Sequence, residues 1–91
     1  KILWRYYTDA ELQKLAWVIV NTTESTALLP YSKWMIRGLN NTEIVRWLKE
    51  VKTTAPELAF RSLLKTAEDE LHPSRWSLLQ DVLTAGTLLA N

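Results

Sequence analysis

Apolar side chains along this chain recur at intervals of three and four residues, and short polar joints cut the recurrence into segments. Leu12, Leu15, Ala16 and Ile19 fall on one face of a helix. Ahead of them, Thr8-Asp9-Ala10-Glu11 has the form of a capping box, with the Thr8 hydroxyl accepting from the Glu11 amide and the Glu11 carboxylate accepting from the Thr8 amide. The first helix is therefore predicted to open there. Trp17 and Val18 point away from its apolar face and suggest a second contact surface. Asn21-Thr22-Thr23, polar and poorly helical, predicts the stop near Val20. Before the cap, Ile2-Leu3-Trp4-Arg5-Tyr6-Tyr7 reads either as the end of an upstream helix or as an extended lead-in.

Pro30 cannot donate an amide and disfavours helical geometry at the residue before it, so the reading for Ser25 to Leu29 is a short turn. A helix follows with Pro30 in its first turn, carrying Tyr31, Trp34 and Met35 at i, i+3 and i+4. Gly38 sits where a left-handed cap would end it. Asn40-Asn41-Thr42-Glu43 restarts the chain with Asn40 as N-cap. Ile44, Val45, Leu48 and Val51 then form a stripe with Trp47 on its edge. Thr54-Ala55-Pro56-Glu57 predicts a third cap with Pro56 in the first turn, and Phe60, Leu63, Leu64, Ala67 and Leu71 share the next apolar face. His72-Pro73 ends that helix. Trp76, Leu79, Val82 and Leu83 are the expected inward stripe of a last one, which Gly86 either caps or passes on to Leu88 and Leu89. No useful length alternates at period two. The pattern predicts an all-α fold, a small antiparallel bundle of four to five helices.

Composition narrows the chemistry. With 91 residues the chain, 1–91, is expected to be a single domain. It has no Cys, which removes disulfides, thiolate metal sites and cysteine nucleophiles. Eleven Lys and Arg against ten Asp and Glu give a net charge of +1, so no net field draws the protein onto nucleic acid or an anionic membrane. The longest apolar run, Ala16 to Val20, is far short of the roughly 20 residues that span a bilayer. Neither an initiator Met nor a signal peptide opens the sequence, which reads as an excised fragment whose targeting segment would lie upstream.

Enzymatic readings lack parts. His72 precedes a proline at a helix end, no strained nucleophile turn is present, and its plainer role is a surface or C-terminal dipole partner. Glu68-Asp69-Glu70 diverge around a helix and read as a solvated face rather than paired carboxylates. Two isolated glycines make no phosphate loop. The chain is expected not to be an enzyme and to carry no metal and no cofactor. Asn21-Thr22-Thr23 and Asn40-Asn41-Thr42 fit the glycosylation pattern, although both lie where helix ends need caps.

Arg37-Gly38-Leu39-Asn40-Asn41-Thr42-Glu43-Ile44 resembles the turn of a helix-turn-helix module, which makes DNA binding the alternative function. Against it, the segment Glu57 to Leu71 sets Arg61 and Lys65 beside Glu57, Glu68, Asp69 and Glu70, a mixture that repels phosphate as much as it attracts it. A bundle that assembles with itself, as a homodimer, is a third reading.

Five Trp in so short a chain call for an explanation. Trp34, Trp47 and Trp76 fall on or beside helix stripes and read as packing. Trp4, Trp17, Tyr6 and Tyr7 do not fit one small core so easily, and are either covered by a bundle neighbour or presented to a partner.

The stretch from Trp34 through Gly38, the polar cap Asn40-Asn41-Thr42-Glu43 and the spaced aliphatics Ile44, Leu48 and Val51 resembles the WY domain of oomycete RXLR effectors, the secreted virulence proteins of Phytophthora and downy mildews. Leu3-Trp4-Arg5-Tyr6-Tyr7-Thr8-Asp9-Ala10-Glu11-Leu12 is similar to the tyrosine-then-acidic-helix segment of these proteins, and Pro56 with its helix matches their second half. The resemblance covers residues 3–70. It departs at the family's signature Tyr, whose place falls near Leu64, so Trp34 would pack on aliphatics; the loop around Pro30 is shorter, and no Arg-x-Leu-Arg motif is present.

What the resemblance implies is a WY-like helical bundle, secreted and translocated into the cytoplasm or nucleus of a plant host cell, that suppresses immunity without catalysis. Partners of such domains are host proteins, among them E3 ubiquitin ligases, kinases and trafficking factors, and neither nucleic acid nor a membrane span is expected. Trp34, Gly38, Leu48, Leu64 and Trp76 are the expected structural core. Trp4, Tyr7, Trp17, Leu58 and Phe60 are the expected partner contacts. Leu58 lies opposite its helix's apolar face; Phe60 fits the stripe by angle but sits in a first turn that often protrudes.

Overall fold

A computed structural model describes residues 8–86. Within them the chain is all-α, a small helical bundle with no strand. Helix α1 spans Asp9–Thr22, and a 3₁₀ segment, Ser25–Tyr31, leads directly into the short α2, Ser32–Gly38. Helices α3, Asn41–Thr54, α4, Glu57–Glu70, and α5, Pro73–Ala85, follow across brief joints. The centre is α3, which packs against α1, the 3₁₀ segment, α4 and α5, while α2 packs against α1 and α4.

The capping box forms as the sequence predicts: the Glu11 amide donates to Thr8 Oγ1 at 3.2 Å and the Thr8 amide to Glu11 Oε1 at 3.0 Å. The helix then runs two residues beyond Val20. Its polar end supplies its own bonds, Asn21 Nδ2 donating to the Trp17 carbonyl at 2.7 Å and Thr22 Oγ1 to that of Val18 at 2.8 Å. Both side chains bond back onto the preceding turn while their own backbone stays helical.

Gly38 is the last residue of α2 and is not a left-handed cap; the chain leaves the helix through Leu39 in extended geometry. What requires glycine is proximity. A Cβ on Gly38 would lie 2.8 Å from Ala16 Cβ and 3.0 Å from the Leu12 carbonyl oxygen, so α1 and α2 touch backbone to backbone at this point. Pro30 is likewise displaced from its expected place. It lies inside the 3₁₀ segment, and α2 starts two residues later, once the ring that cannot donate has been passed. Tyr31, at that junction, is half exposed and stands apart from Trp34 and Met35, which are buried.

Helix α3 is capped by Asn40, whose Oδ1 accepts from the Glu43 amide at 2.9 Å. Ile44, Leu48 and Val51 are fully buried as the stripe predicts. Trp47 is no edge residue: it is 1% exposed, and its Nε1 donates to the Ser25 carbonyl at 2.9 Å. Ser25 Oγ in turn donates to the Glu50 carboxylate. The 3₁₀ segment is thereby latched onto α3 through both polar groups of one serine, covering the side of α3 that Trp47 occupies.

Pro56 is itself the N-cap of α4, and Thr54 closes α3 with its hydroxyl on the Glu50 carbonyl, so no Thr54 cap forms. Phe60, Leu63, Ala67 and Leu71 are buried. Leu64 and Trp76 are half-buried, packed against the core from its rim rather than inside it, and both line an open cleft where α4 meets α5. In α5, Leu79 and Leu83 are fully buried, but Val82 is 51% exposed. Gly86 is the C-cap of α5, its amide bonded to the Val82 carbonyl at 3.0 Å; Leu88 and Leu89 lie outside the described residues.

Candidate functional site

Of the five expected partner contacts, Trp4 and Tyr7 lie outside the described residues. Trp17 is 53% exposed and Leu58 74% exposed, both on the surface as anticipated. Phe60 is a correction, because at 4% exposure it belongs to the core. The first turn of α4 does not protrude: Pro56 carries it into contact with α3, and Lys52 Nζ sits 4.6 Å above the Phe60 ring centroid. Trp17 lies on α1 and Leu58 on α4, and the described lining of the cleft at Trp17 does not include Leu58, so the expected contacts are not brought together there.

Trp17 instead lies on the second contact surface that its place off the apolar stripe suggested, and the structure supplies the rest of that surface. It lines an open cleft of about 500 Å³ between α1 and the α2–α3 corner, together with Lys14, Arg37, Asn41 and Arg75. Asn41 also lines a second cleft, about 330 Å³, between α3 and α5, where Val45 and Val82 form the apolar floor beside Arg46 and Lys49. The two clefts adjoin at that residue and make one surface across α1, α3 and α5.

Polar bonds hold this surface in shape. Arg46 Nη2 donates to Asn21 Oδ1 at 2.7 Å and pairs with the Glu43 carboxylate, tying the last turn of α1 to α3. Asn21 also bonds the Trp17 carbonyl, so the turn carrying the indole is braced from below. At the junction of the clefts Arg75 donates from Nε and Nη2 to Asn41 Oδ1, at 3.1 and 2.7 Å, and from Nη2 to the Leu39 carbonyl at 3.1 Å. This clamp fixes α5 to the α2–α3 corner. An arginine at its position in the sequence gave no sign of it, because its acceptors lie more than thirty residues upstream.

Other candidate chemistry resolves into structural work. His72 is the N-cap of α5, Nδ1 accepting from the Ser74 amide at 3.1 Å with Pro73 at the first helical position, and is not a partner for the end of α4. Glu70 takes Arg37 at 3.2 Å and Lys33 at 3.7 Å, while Glu68 and Asp69 both reach Lys65. The hydrogen bond that Lys65 donates to Asp69 and the charges of both acids raise the Lys65 pKa. The Thr8 backbone amide, followed by its side chain, holds the Glu11 carboxyl below its ordinary value. Of the two glycosylation-type asparagines, Asn40 caps α3 and Asn21 has both side-chain ends engaged. Among the described residues no group of three His, Asp or Glu side chains is placed to hold a metal ion, and no helix is long and apolar enough to cross a membrane. No family model matches the chain, and neither a curated protein nor a solved structure does.

Proposed function

We propose that this chain is a non-catalytic effector domain that acts inside a plant host cell, binding a host protein and disabling an immune function. The observation that carries the reading is Trp17, a large aromatic 53% exposed on a helical turn that Asn21 and Arg46 already hold in place. Exposed Trp side chains are the commonest energetic anchors of protein interfaces, and a pre-braced anchor loses little conformational freedom on binding. The helical bundle and the burial of Trp34, at the position on which the resemblance to RXLR effectors rests, support the same reading. Placement in the host cytoplasm or nucleus, with a ubiquitin ligase, kinase or trafficking factor as target, follows from that resemblance.

Expression of the domain within leaf tissue tests the proposal through the oxidative burst that follows a microbial elicitor. The wild type should lower the burst, and Trp17→Ala, which leaves the core untouched, should restore it at equal protein level. A burst unchanged by the wild-type domain would overturn the reading.

A further inference from the structure

The near-neutral charge of the whole chain conceals an uneven distribution. Lys14, Arg37 and Arg75 line the first cleft and Arg46 and Lys49 the second, whereas among the described residues Glu43 is the one carboxylate in either lining. Glu43 is already spent on Arg46. No described carboxylate lies within ion-pair distance of Lys14, Lys49 or Arg75, whose charges therefore face solvent or, for Arg75, neutral oxygens. Of the ten acids, the four on α4, Glu57, Glu68, Asp69 and Glu70, are each matched to a lysine or arginine, Glu70 to Arg37 of the first cleft among them.

We infer that the segment of the partner recognised here is an acidic amphipathic peptide, laid across α1, α3 and α5 with apolar side chains on Trp17 and on the Val45–Val82 floor and carboxylates among the flanking cations. This rests on the protein-binding reading above and specifies its partner. Charge complementarity selects the sign of the occupant. The apolar floor selects its kind, because a phosphate backbone would satisfy the lysines yet leave Val45, Val82 and the Trp17 face against water. On α4 a second copy of the chain would offer only acids already paired within their own molecule.

Selection of a random peptide library on the wild-type protein tests this directly. Recovered peptides should be rich in Asp and Glu with large apolar side chains between them. Measured by fluorescence anisotropy, their affinity should fall about tenfold or more in the Lys14→Glu, Lys49→Glu double variant and in Trp17→Ala, and hold in Lys65→Glu, which lines neither cleft. All four positions are exposed, and matching circular dichroism and urea midpoints establish that each variant is folded. Neutral or basic peptides, no saturable peptide, or affinities indifferent to the double variant would overturn the inference. So would tighter binding of a duplex DNA or of phosphatidylserine vesicles to the same face, or a self-association in sedimentation that the double variant abolishes. If Trp17→Ala restores the leaf oxidative burst while the double variant still suppresses it, the partner-binding function stands and the acidic-peptide inference alone falls.

Discussion

Gly38 and Phe60 are the two residues at which side-chain identity and position in the fold are most tightly linked. Gly38 is needed because α1 passes within contact of its backbone, and the obstructing Leu12 carbonyl is main chain that cannot swing aside. Gly38→Ala is therefore expected to destabilise the fold by about 1–3 kcal/mol, although alanine is the better helix former, with the shift read from urea unfolding. A rise in the midpoint would mean that the two helices can separate without cost. Phe60→Ala should cost about 3–5 kcal/mol, as for a buried aromatic, whereas Leu58→Ala two positions earlier should stay within about 0.5 kcal/mol. The same urea series measures both. Loss of partner binding in Phe60→Ala would follow from loss of fold, which is why Trp17 and not Phe60 is the residue to change in a binding assay.

At the scale of the element, the helix starts with side-chain caps at Thr8 and Asn40 were legible, whereas the start of α2 beyond Pro30 and the Pro56 cap of α4 were not. Thr8 and Asn40 act through bonds that span three residues, so their geometry is contained in the local sequence. The Glu11 half of the first cap also makes a prediction about pH. Its carboxyl is held below the ordinary glutamate value, so the charged form stabilises α1 above the unfolded-state pKa, and that contribution disappears as pH falls through the lower folded value. Amide exchange in the first turn of α1 should be slower in the wild type than in Glu11→Gln near neutrality, and the difference should close once pH has fallen through the lowered folded-state value. A difference that persisted at acid pH would remove the carboxylate from the cap. His72 shows the limit of such local reading: the same His-Pro pair that ends one helix also opens the next, and the ring caps forward onto Ser74 rather than back onto α4.

For the whole molecule, long-range polar contacts decide how the helices are fixed against one another. Arg75 joins α5 to the corner between α2 and α3, and Trp47 with Ser25 and Glu50 joins the 3₁₀ segment to α3. Arg75→Ala should lower stability by about 1–3 kcal/mol and speed amide exchange along α5 more than along α3. Arg75→Lys should recover little, because a single ammonium cannot serve Asn41 and the Leu39 carbonyl with the geometry of a guanidinium. Equal exchange in α5 for wild type and Arg75→Ala would show that Leu79 and Leu83 hold the helix without the clamp.

The sequence by itself determined the helical class, the two side-chain caps at Thr8 and Asn40, and the apolar stripes of α3 and α4, because each depends on residues within a turn or two of one another. It also separated Trp17 from the core, since on α1 it falls outside the stripe of Leu12, Leu15, Ala16 and Ile19. Only the tertiary structure decided that Trp47 and Phe60 lie inside, that Val82 lies outside, and that Gly38 serves a helix crossing instead of a turn. Each of these depends on which neighbour covers a given side of a helix, and that neighbour comes from a distant part of the chain. Charge followed the same division. The total of +1 was fixed by counting, but its separation into a paired acidic helix and a cationic cleft required the helices to be set side by side.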